Sequence, residues 1–497
     1  MMETSLFDSI EVIDRKARSS AVTRARSRGI RLPTFSQLAG QSPMPEDIAA
    51  SLKNVSSDVA QPENLWRVNW FNAPDRKSRG ALPDYVVLPK TFTRTEAPVV
   101  VLLGSHFPMI AAHKVLPAYA CLVTKLVSGR FDPLHHRAIW PSTGNYCRGG
   151  VAISRILGCD GIAVLPEGMS KERYQWLAHW VADPSHIIRT IGTESNVKEI
   201  YDKCHELAMR PENVILNQFS SFPNYFAHYL CTGSACAAVF SDLQKAPTTR
   251  LAAFVSATGS AGTIAAGDFL KDNFGAKIAA VEALECPTLL ENGYGEHNIQ
   301  GIGDKHVPLI HNVMNTDFVI GVSDRSCERM NVLSRGPENR SWLARQLGLE
   351  IGDLNFLDYI GISGFANIIA SIKLARQMNY GPGDVVMTVA TDGAALYYSE
   401  AERTLSVNHS RGLSDADRSS FLEECLREEL ADSVLQTEAR DRRRMFNLGY
   451  YTWVEQQAIS PEDFDARKSQ SFWKQAAGLW AEWDELIIDF NRETVGR

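Results

Sequence analysis

Lys114 stands among apolar residues, in the run PMIAAHKVLPAYACLVTKL. Burial penalises an ammonium and lowers its pKa. A neutral lysine amine is nucleophilic and forms a Schiff base with a carbonyl. A lysine snorkelling from an apolar helix face reads the same way in sequence, and His113 beside it is open to both readings. Three loops rich in small residues follow predicted strands. Pro141-Ser142-Thr143-Gly144-Asn145 precedes a helical run. Amides at a helix start favour an anion, and Ser142, Thr143 and Asn145 add side-chain donors that suit a carboxylate. An ordinary capping turn uses the same residues. Thr258-Gly259-Ser260-Ala261-Gly262-Thr263 lets the backbone approach a phosphate, with hydroxyl donors at Ser260 and Thr263. No Lys follows its last Gly, and it is not a G-x-G-x-x-G fingerprint. A phosphate that stays bound fits better than a nucleoside triphosphate. Gly361-Ile362-Ser363-Gly364 is a weaker third loop. Asp392 closes DVVMTVATDG, at a strand's carboxyl end, where α/β sheets bind ligands. A surface turn would also carry it. Cys147 reads as a buried structural thiol or a cleft thiol, with Arg148 the only clear neighbour to lower its pKa.

These residues need elements to hold them. From Ala97 to about Ser399, β-rich runs alternate with helical stretches. The predicted strands are PVVVLL, HRAIW, GIAVLP, HIIRT, NVILN, LAAFVSA, KIAAVEA, FVIGV and DVVMTVA, with YQWLAHWVAD and NVKEIYDKCHELA among the helices. That alternation predicts α/β units on mostly parallel sheets, enough for two lobes and a cleft. Residues 1–95 read as an accessory segment. In it, Arg15 to Arg31 predicts a solvated helix or flexible arm, and Trp66, Trp70 and Phe71 a piece that docks on the main body. The division expected is 1–95, a unit at 96–400 (small lobe about 110–235, large lobe 236–400), and a helical extension at 401–497. There Ser414 starts one helix carrying Phe421, Leu422, Cys425, Leu426 and Leu430, and Ser460-Pro461 starts another. Ala476, Trp480, Trp483, Ile487 and Phe490 form an apolar stripe that predicts packing on the main body or a partner subunit.

Composition narrows the class. The 497 residues carry 51 Lys and Arg against 58 Asp and Glu, and 44% are hydrophobic. That core is too rich for a disordered chain, and the acidic balance excludes a nucleic-acid binder built on excess positive charge. Nine sparse cysteines without a C-x-x-C pair point to free thiols in a reducing cytosol. The opening residues lack a secretory h-region, and no apolar run reaches about 18 residues. A cytoplasmic protein, binding neither membrane nor nucleic acid, is expected.

Taken in order, these elements resemble the fold-type II pyridoxal-phosphate enzymes, in the branch of cysteine synthase and cystathionine beta-synthase. The resemblance runs from about Leu88 to Ser399. Lys114 matches the family lysine, and Ser142-Thr143-Gly144-Asn145 its S/T-S/T-G-N loop. Asn217-Gln218-Phe219 and Thr232-Gly233 match its Q-F and T-G segments. Gly259 to Thr263 match its G-T-G-G-T phosphate loop, and His297-Asn298-Ile299-Gln300-Gly301-Ile302-Gly303 its H-x-I-Q-G-I-G without a mismatch. The fold implied is tryptophan synthase beta-like: two three-layer α/β lobes with a cleft between, here with mainly helical N- and C-terminal extensions. The cofactor implied is pyridoxal 5'-phosphate, held by Lys114 as an internal aldimine. Lys114 would also move the substrate alpha-proton. Asn145 would bond the cofactor's 3'-oxygen, and Gly259, Ser260, Ala261, Gly262 and Thr263 its phosphate. Ser142, Thr143, Gly144 and Gln218 would hold the substrate carboxylate.

Departures from the family pattern matter. Val115 and Leu116 replace the residues that usually follow the lysine, and Ala261 replaces a Gly. Where the family places Ser near the ring nitrogen, this chain reads Thr391-Asp392-Gly393-Ala394. Asp392 is expected to face that nitrogen, with Thr391 the alternative. The expected activity is that of a lyase or synthase at the beta-carbon of cysteine, serine or an O-activated serine, through an aminoacrylate, in a homodimer. A dehydratase or racemase on the same scaffold is one alternative. A catalytically weak homologue that binds partners is another.

Overall fold

The computed structural model describes residues 6–426 and 432–495; Leu430 lies outside the described residues. Among the described residues eleven strands form in chain order: β1 Tyr85–Val87, β2 Val99–Leu103, β3 Arg137–Pro141, β4 Asp160–Pro166, β5 Ile187–Thr190, β6 Asn213–Ile215, β7 Arg250–Ala257, β8 Lys277–Ala283, β9 Phe318–Val322, β10 Asp384–Ala390 and β11 Val434–Gln436. They make two sheets, one of seven strands in the order β1-β2-β10-β7-β8-β9-β11 and one of four in the order β5-β4-β3-β6. The four-stranded sheet is parallel throughout. In the larger sheet only the edge strands β1 and β11 run antiparallel. Sequence reading predicted nine of these strands, and the edge pair adds to them.

Successive residues of a strand face opposite sides of a sheet, and here both sides are buried. Val99, Val101 and Leu103 join one core with helices Asp324–Leu333 and Ile362–Gln377. Val100 and Leu102 join the other, with helices Val115–Val127 and Ala265–Phe274. The small sheet divides likewise. Ala138 and Trp140 pack with helix Asn145–Leu157, while Ile139 packs with Ile200 and Cys204 of helix Val197–Ala208. Strands buried on both faces read as unbroken apolar runs, as a covered parallel sheet requires.

The arginine-rich segment differs from its expectation. Residues Arg15–Ser27 form a helix capped by Asp14, whose side chain accepts from the Lys16 and Ala17 amides. The helix is docked rather than solvated, with Ala17, Ala21, Val22 and Ala25 buried. Its arginines find carbonyls at the carboxyl ends of other helices, where the last turn leaves acceptors unpaired. Arg18 donates to Val127 O at 2.5 Å and pairs with Glu493 at 2.7 Å. Arg24 donates to Gly158 O at 2.7 Å and Arg28 to Ile156 O at 2.9 Å.

At the other end, Trp483, Ile487 and Phe490 are buried on helix Trp480–Val495, which packs on helix Arg15–Ser27. Asp484 receives the Phe35 and Ser36 amides at 2.5 and 3.0 Å. The predicted stripe therefore meets this chain's own N-terminal segment. Helices Asp415–Leu426 and Pro461–Ala466 begin where Ser414 and Ser460 stand. All nine cysteines are free. Among the described residues no single helix is long and apolar enough to cross a membrane.

Candidate active site

The chemistry-bearing residues gather at the carboxyl ends of parallel strands, where the chain turns toward the following helix. After β3 comes Ser142 to Asn145, after β7 the loop Thr258 to Thr263, after β10 Thr391 and Asp392, and after β5 the segment carrying Glu194. Lys114 caps helix Val115–Val127. Two adjoining cavities share Lys114, Gly259, Ser260, Gly301, Ile302 and Thr391 in their walls.

Lys114 ties the loops together. Its Nζ donates to Ser260 Oγ at 3.0 Å and to Gln218 Oε1 at 3.2 Å. Gln218 Nε2 donates in turn to Ser142 Oγ at 3.3 Å, and Ser142 Oγ accepts the Gly144 amide at 3.2 Å. Burial pulls the Lys114 amine down to about 8, against the carboxyls of Asp304 and Glu194. An amine so placed is far closer to its nucleophilic form at neutral pH than an exposed lysine.

The loop after β7 fits a phosphate on direct observation. Among the described residues, the backbone N–H groups of Gly259, Ser260, Ala261, Gly262 and Thr263 donate to no protein acceptor. Five unpaired amides turning into helix Ala265–Phe274 make an anion cradle. Space is tight. A Cβ on Gly259 would meet Gly301 O at 2.8 Å, and one on Gly262 would meet Asn224 Oδ1 at 2.0 Å. The His297–Gly303 motif packs on this loop, with the Gly303 amide donating to Thr258 O at 2.8 Å. Ala261 holds a left-handed φ of 61°, a conformation Gly adopts at lower cost.

His113 supports the cradle from behind. Its Nε2 lies 3.0 Å from Thr263 Oγ1. Burial, with Lys114 next to it, pushes it down to about 3, so the ring is neutral. Trp70 stacks on it at 5.5 Å and donates to Thr232 Oγ1 at 2.9 Å. The predicted docking aromatic thus reaches the site itself.

Asp392 and Thr391 separate. Thr391 lines both cavities, whereas Asp392 lines neither. Asp392 is fully buried, and its Oδ2 accepts from Asn145 Nδ2 at 2.5 Å and Tyr397 OH at 2.8 Å. Burial raises its pKa, while Arg173 at 3.9 Å favours the carboxylate. Arg173 also donates to Tyr397 OH at 2.9 Å and to Gln300 Oε1. Arg148 donates to Asn145 Oδ1 at 2.8 Å, which fixes that amide from its other end. Cys147 is buried; its thiol donates to Gly144 O at 2.9 Å, and burial pushes it up to about 12.

Sequence reading overlooked Arg173, Glu194, Asp304 and Tyr397. Glu194 closes on the Ser142–Asn145 loop: its Oε1 accepts from Thr143 Oγ1 and from the Gly301 amide at 2.7 Å. It follows a strand end, the same signal that singled out Asp392, with Gly192, Thr193 and Ser195 around it. Arg173 and Tyr397 carried no local signal.

The family profile described as "Pyridoxal-phosphate dependent enzyme" matches residues 86–334. Cysteine synthase B of Campylobacter jejuni is 29% identical over 256 residues, covering 50% of this chain and 75% of that protein. Cystathionine beta-synthase of Saccharomyces cerevisiae is 30% identical over 209 residues, 37% of each chain. Among solved structures, a hydrogen sulfide-producing enzyme of Fusobacterium nucleatum matches with TM-score 0.53 and 23% identity, over 69% of this chain and 90% of its own. Cysteine synthase of Entamoeba histolytica matches with TM-score 0.53 and 21% identity, over 70% and 93%. At these identities the structural likeness is one of fold.

Proposed function

The chain belongs to the pyridoxal-phosphate dependent enzymes, in the cysteine synthase and cystathionine beta-synthase-like branch, and on that premise we propose that it is a lyase or synthase acting at the beta-carbon of a small amino acid. Cysteine, serine or an O-activated serine would lose its beta-substituent, and a thiol or water would complete the turnover. The observation that carries this reading is the position of Lys114 Nζ, 3.0 Å from Ser260 of the amide cradle and 3.2 Å from Gln218, which bonds Ser142.

Pyridoxal 5'-phosphate, when bound, supplies the electron sink for breaking bonds at the alpha-carbon. The rest falls to this chain. Gly259 to Thr263 offer their amides to the phosphate. Lys114 holds the cofactor's aldehyde carbon and then takes the proton from the substrate's alpha-carbon, a task that needs an amine within hydrogen-bond reach. Asn145, gripped by Asp392 and Arg148, presents a fixed amide to the cofactor's 3'-oxygen. Ser142, Thr143, Gly144 and Gln218 receive the substrate carboxylate. Thr391, which lines the cavities, is the better neighbour for the ring nitrogen than Asp392.

The test is spectroscopic. The purified protein should show the visible absorbance of a lysine-bound cofactor, and Lys114→Ala should lose it. A colourless wild-type protein that cannot be loaded with cofactor would sink the proposal. Cysteine, serine and O-acetylserine, added in turn, should shift the band, and assays for sulfide, pyruvate and cystathionine then separate elimination from replacement. A loaded protein whose band responds to none of them does not act on this substrate class.

A further inference from the structure

Two residues in the wall of the cavity beside Lys114 each carry a carboxyl oxygen that nothing in the fold binds. Glu194 and Asp304 both line it, together with Ser142, Thr143 and Gln218. Glu194 is 2% exposed and Asp304 6%. Glu194 Oε1 is committed to Thr143 and Gly301, but its Oε2 is buried without a partner, and so is Asp304 Oδ2. A buried carboxyl oxygen left unpaired is costly as an anion and tolerable as an acid.

Burial acts in the same direction and outweighs the hydrogen bonds from Thr143 and Gly301, which favour the carboxylate. Burial pushes Glu194 up to about 7, with Asp324 of helix Asp324–Leu333 adding to the rise and Arg173 of helix Lys171–Trp180 opposing it. Burial, then the Glu194 charge, raises Asp304 well above the carboxylate range, against Lys114. Tyr397 also faces this group, its hydroxyl pushed well above its ordinary range by burial. Below about pH 7 Glu194 therefore keeps its proton, and its Oε2, which no protein group binds, is the position from which to donate it.

We propose that Glu194 is a catalytic acid–base residue that protonates the departing beta-hydroxyl, making serine the beta-substrate in place of an O-activated serine. This rests on the reading of the site given above. Hydroxide is a poor leaving group, the conjugate base of an acid of pKa about 15.7, whereas acetate departs without a proton. The step balances as follows. The Cα–H bond breaks and its proton passes to Lys114 Nζ. The electron pair left behind forms the Cα=Cβ bond as the Cβ–O bond breaks. The hydroxyl leaves with that bond's electron pair, takes the proton from Glu194 Oε2 and departs as water. When a thiol adds to Cβ, its S–H proton goes to the Glu194 carboxylate and Lys114 returns its proton to Cα. Both groups are then reset.

The decisive comparison uses the loaded enzyme with serine and with O-acetylserine and no added thiol, so that stopped-flow absorbance reads loss of the beta-substituent alone. In Glu194→Gln the serine rate should fall about 100-fold or more relative to the O-acetylserine rate, the scale of a lost general acid. The wild type gives a second readout that requires no variant: its rate of hydroxyl loss from serine should decline as pH rises through about 7, and the rate of acetate loss should lack that limb. Equal losses with both substrates, no loss with serine, or identical pH limbs would overturn the proposal. A third readout needs no cofactor. The infrared band of protonated carboxyls that bleaches near pH 7 in the cofactor-free protein should be smaller in Glu194→Gln, with Glu282 and Asp324 supplying what remains; an unchanged amplitude also overturns it. Failure to bind cofactor at all would instead count against the enzyme reading, so the two failures are distinguishable.

Discussion

Asn145 donates its amide to Asp392 across 2.5 Å, joining the start of a helix on the small sheet to the end of β10 in the large one. Asp392 also receives Tyr397 and faces Arg173 at 3.9 Å. Removing the carboxylate strands all three groups. Asp392→Ala should lower unfolding free energy by about 3 kcal/mol or more, the usual result of breaking a buried charged network from one side. Urea unfolding measures it. Asp392→Asn keeps an acceptor for Asn145 and should lose less. Because Thr391 lines the cavities, Thr391→Val should move the cofactor's absorbance maximum, while Asp392→Asn leaves it in place.

His113 supports Thr263 through one hydrogen bond at 3.0 Å, from a ring held neutral by burial. Its folded pKa of about 3 lies below its ordinary value, so it does not gain a proton between pH 5 and 8. Cofactor affinity should carry no His113 titration over that range. His113→Phe keeps the stacking on Trp70 and loses the bond. It should weaken pyridoxal phosphate by about two- to tenfold, the worth of one hydrogen bond, as read by equilibrium dialysis.

Lys114, unlike His113, does set a pH dependence. Burial penalises its ammonium, so the neutral amine grows in as pH rises through about 8. The rate at which cofactor-free protein takes up pyridoxal phosphate should climb to a plateau above that pH, followed by stopped-flow absorbance. A rate still climbing at pH about 10.4 would mark an ordinary exposed lysine.

Gly361 is required by space, since its backbone is extended. An added Cβ would lie 2.0 Å from Asp392 Oδ1 and 2.6 Å from the Tyr397 ring. Gly361→Ala should therefore cost about 3 kcal/mol, the upper range for overpacking a rigid site. Gly348 has φ 64° and nothing within 4 Å of its would-be Cβ. Gly348→Ala should cost only the left-handed penalty, about 1 kcal/mol. Thermal or urea unfolding of the two variants separates crowding from conformation.

The buried strands were legible because a strand covered on both faces is a nearly unbroken apolar run, as VVVLL is between Pro98 and Gly104 and LAAFVSA is before Thr258-Gly259. Tyr85–Val87 and Val434–Gln436 are three residues each and half exposed, too short to register a period. The anion loops showed themselves because amides can approach a ligand only where side chains are small. Glu194 and Arg173 belong to ordinary polar surroundings in sequence. Their burial comes from the second lobe, and no local pattern carries that information. The arginines of helix Arg15–Ser27 were misjudged for the same reason. The carbonyls that hold Arg18, Arg24 and Arg28 lie more than a hundred residues further along the chain.

The contact between Arg18 and Glu493 spans 475 positions. Helix Arg15–Ser27 is covered in part by a helix that is translated after both sheets. On the ribosome, helix Arg15–Ser27 must wait through the synthesis of both sheets before helix Trp480–Val495 exists. For all that time its apolar side lacks part of its cover, and its arginines keep it in water. The charge that looked in sequence like a mark of permanent exposure would then serve a temporary one.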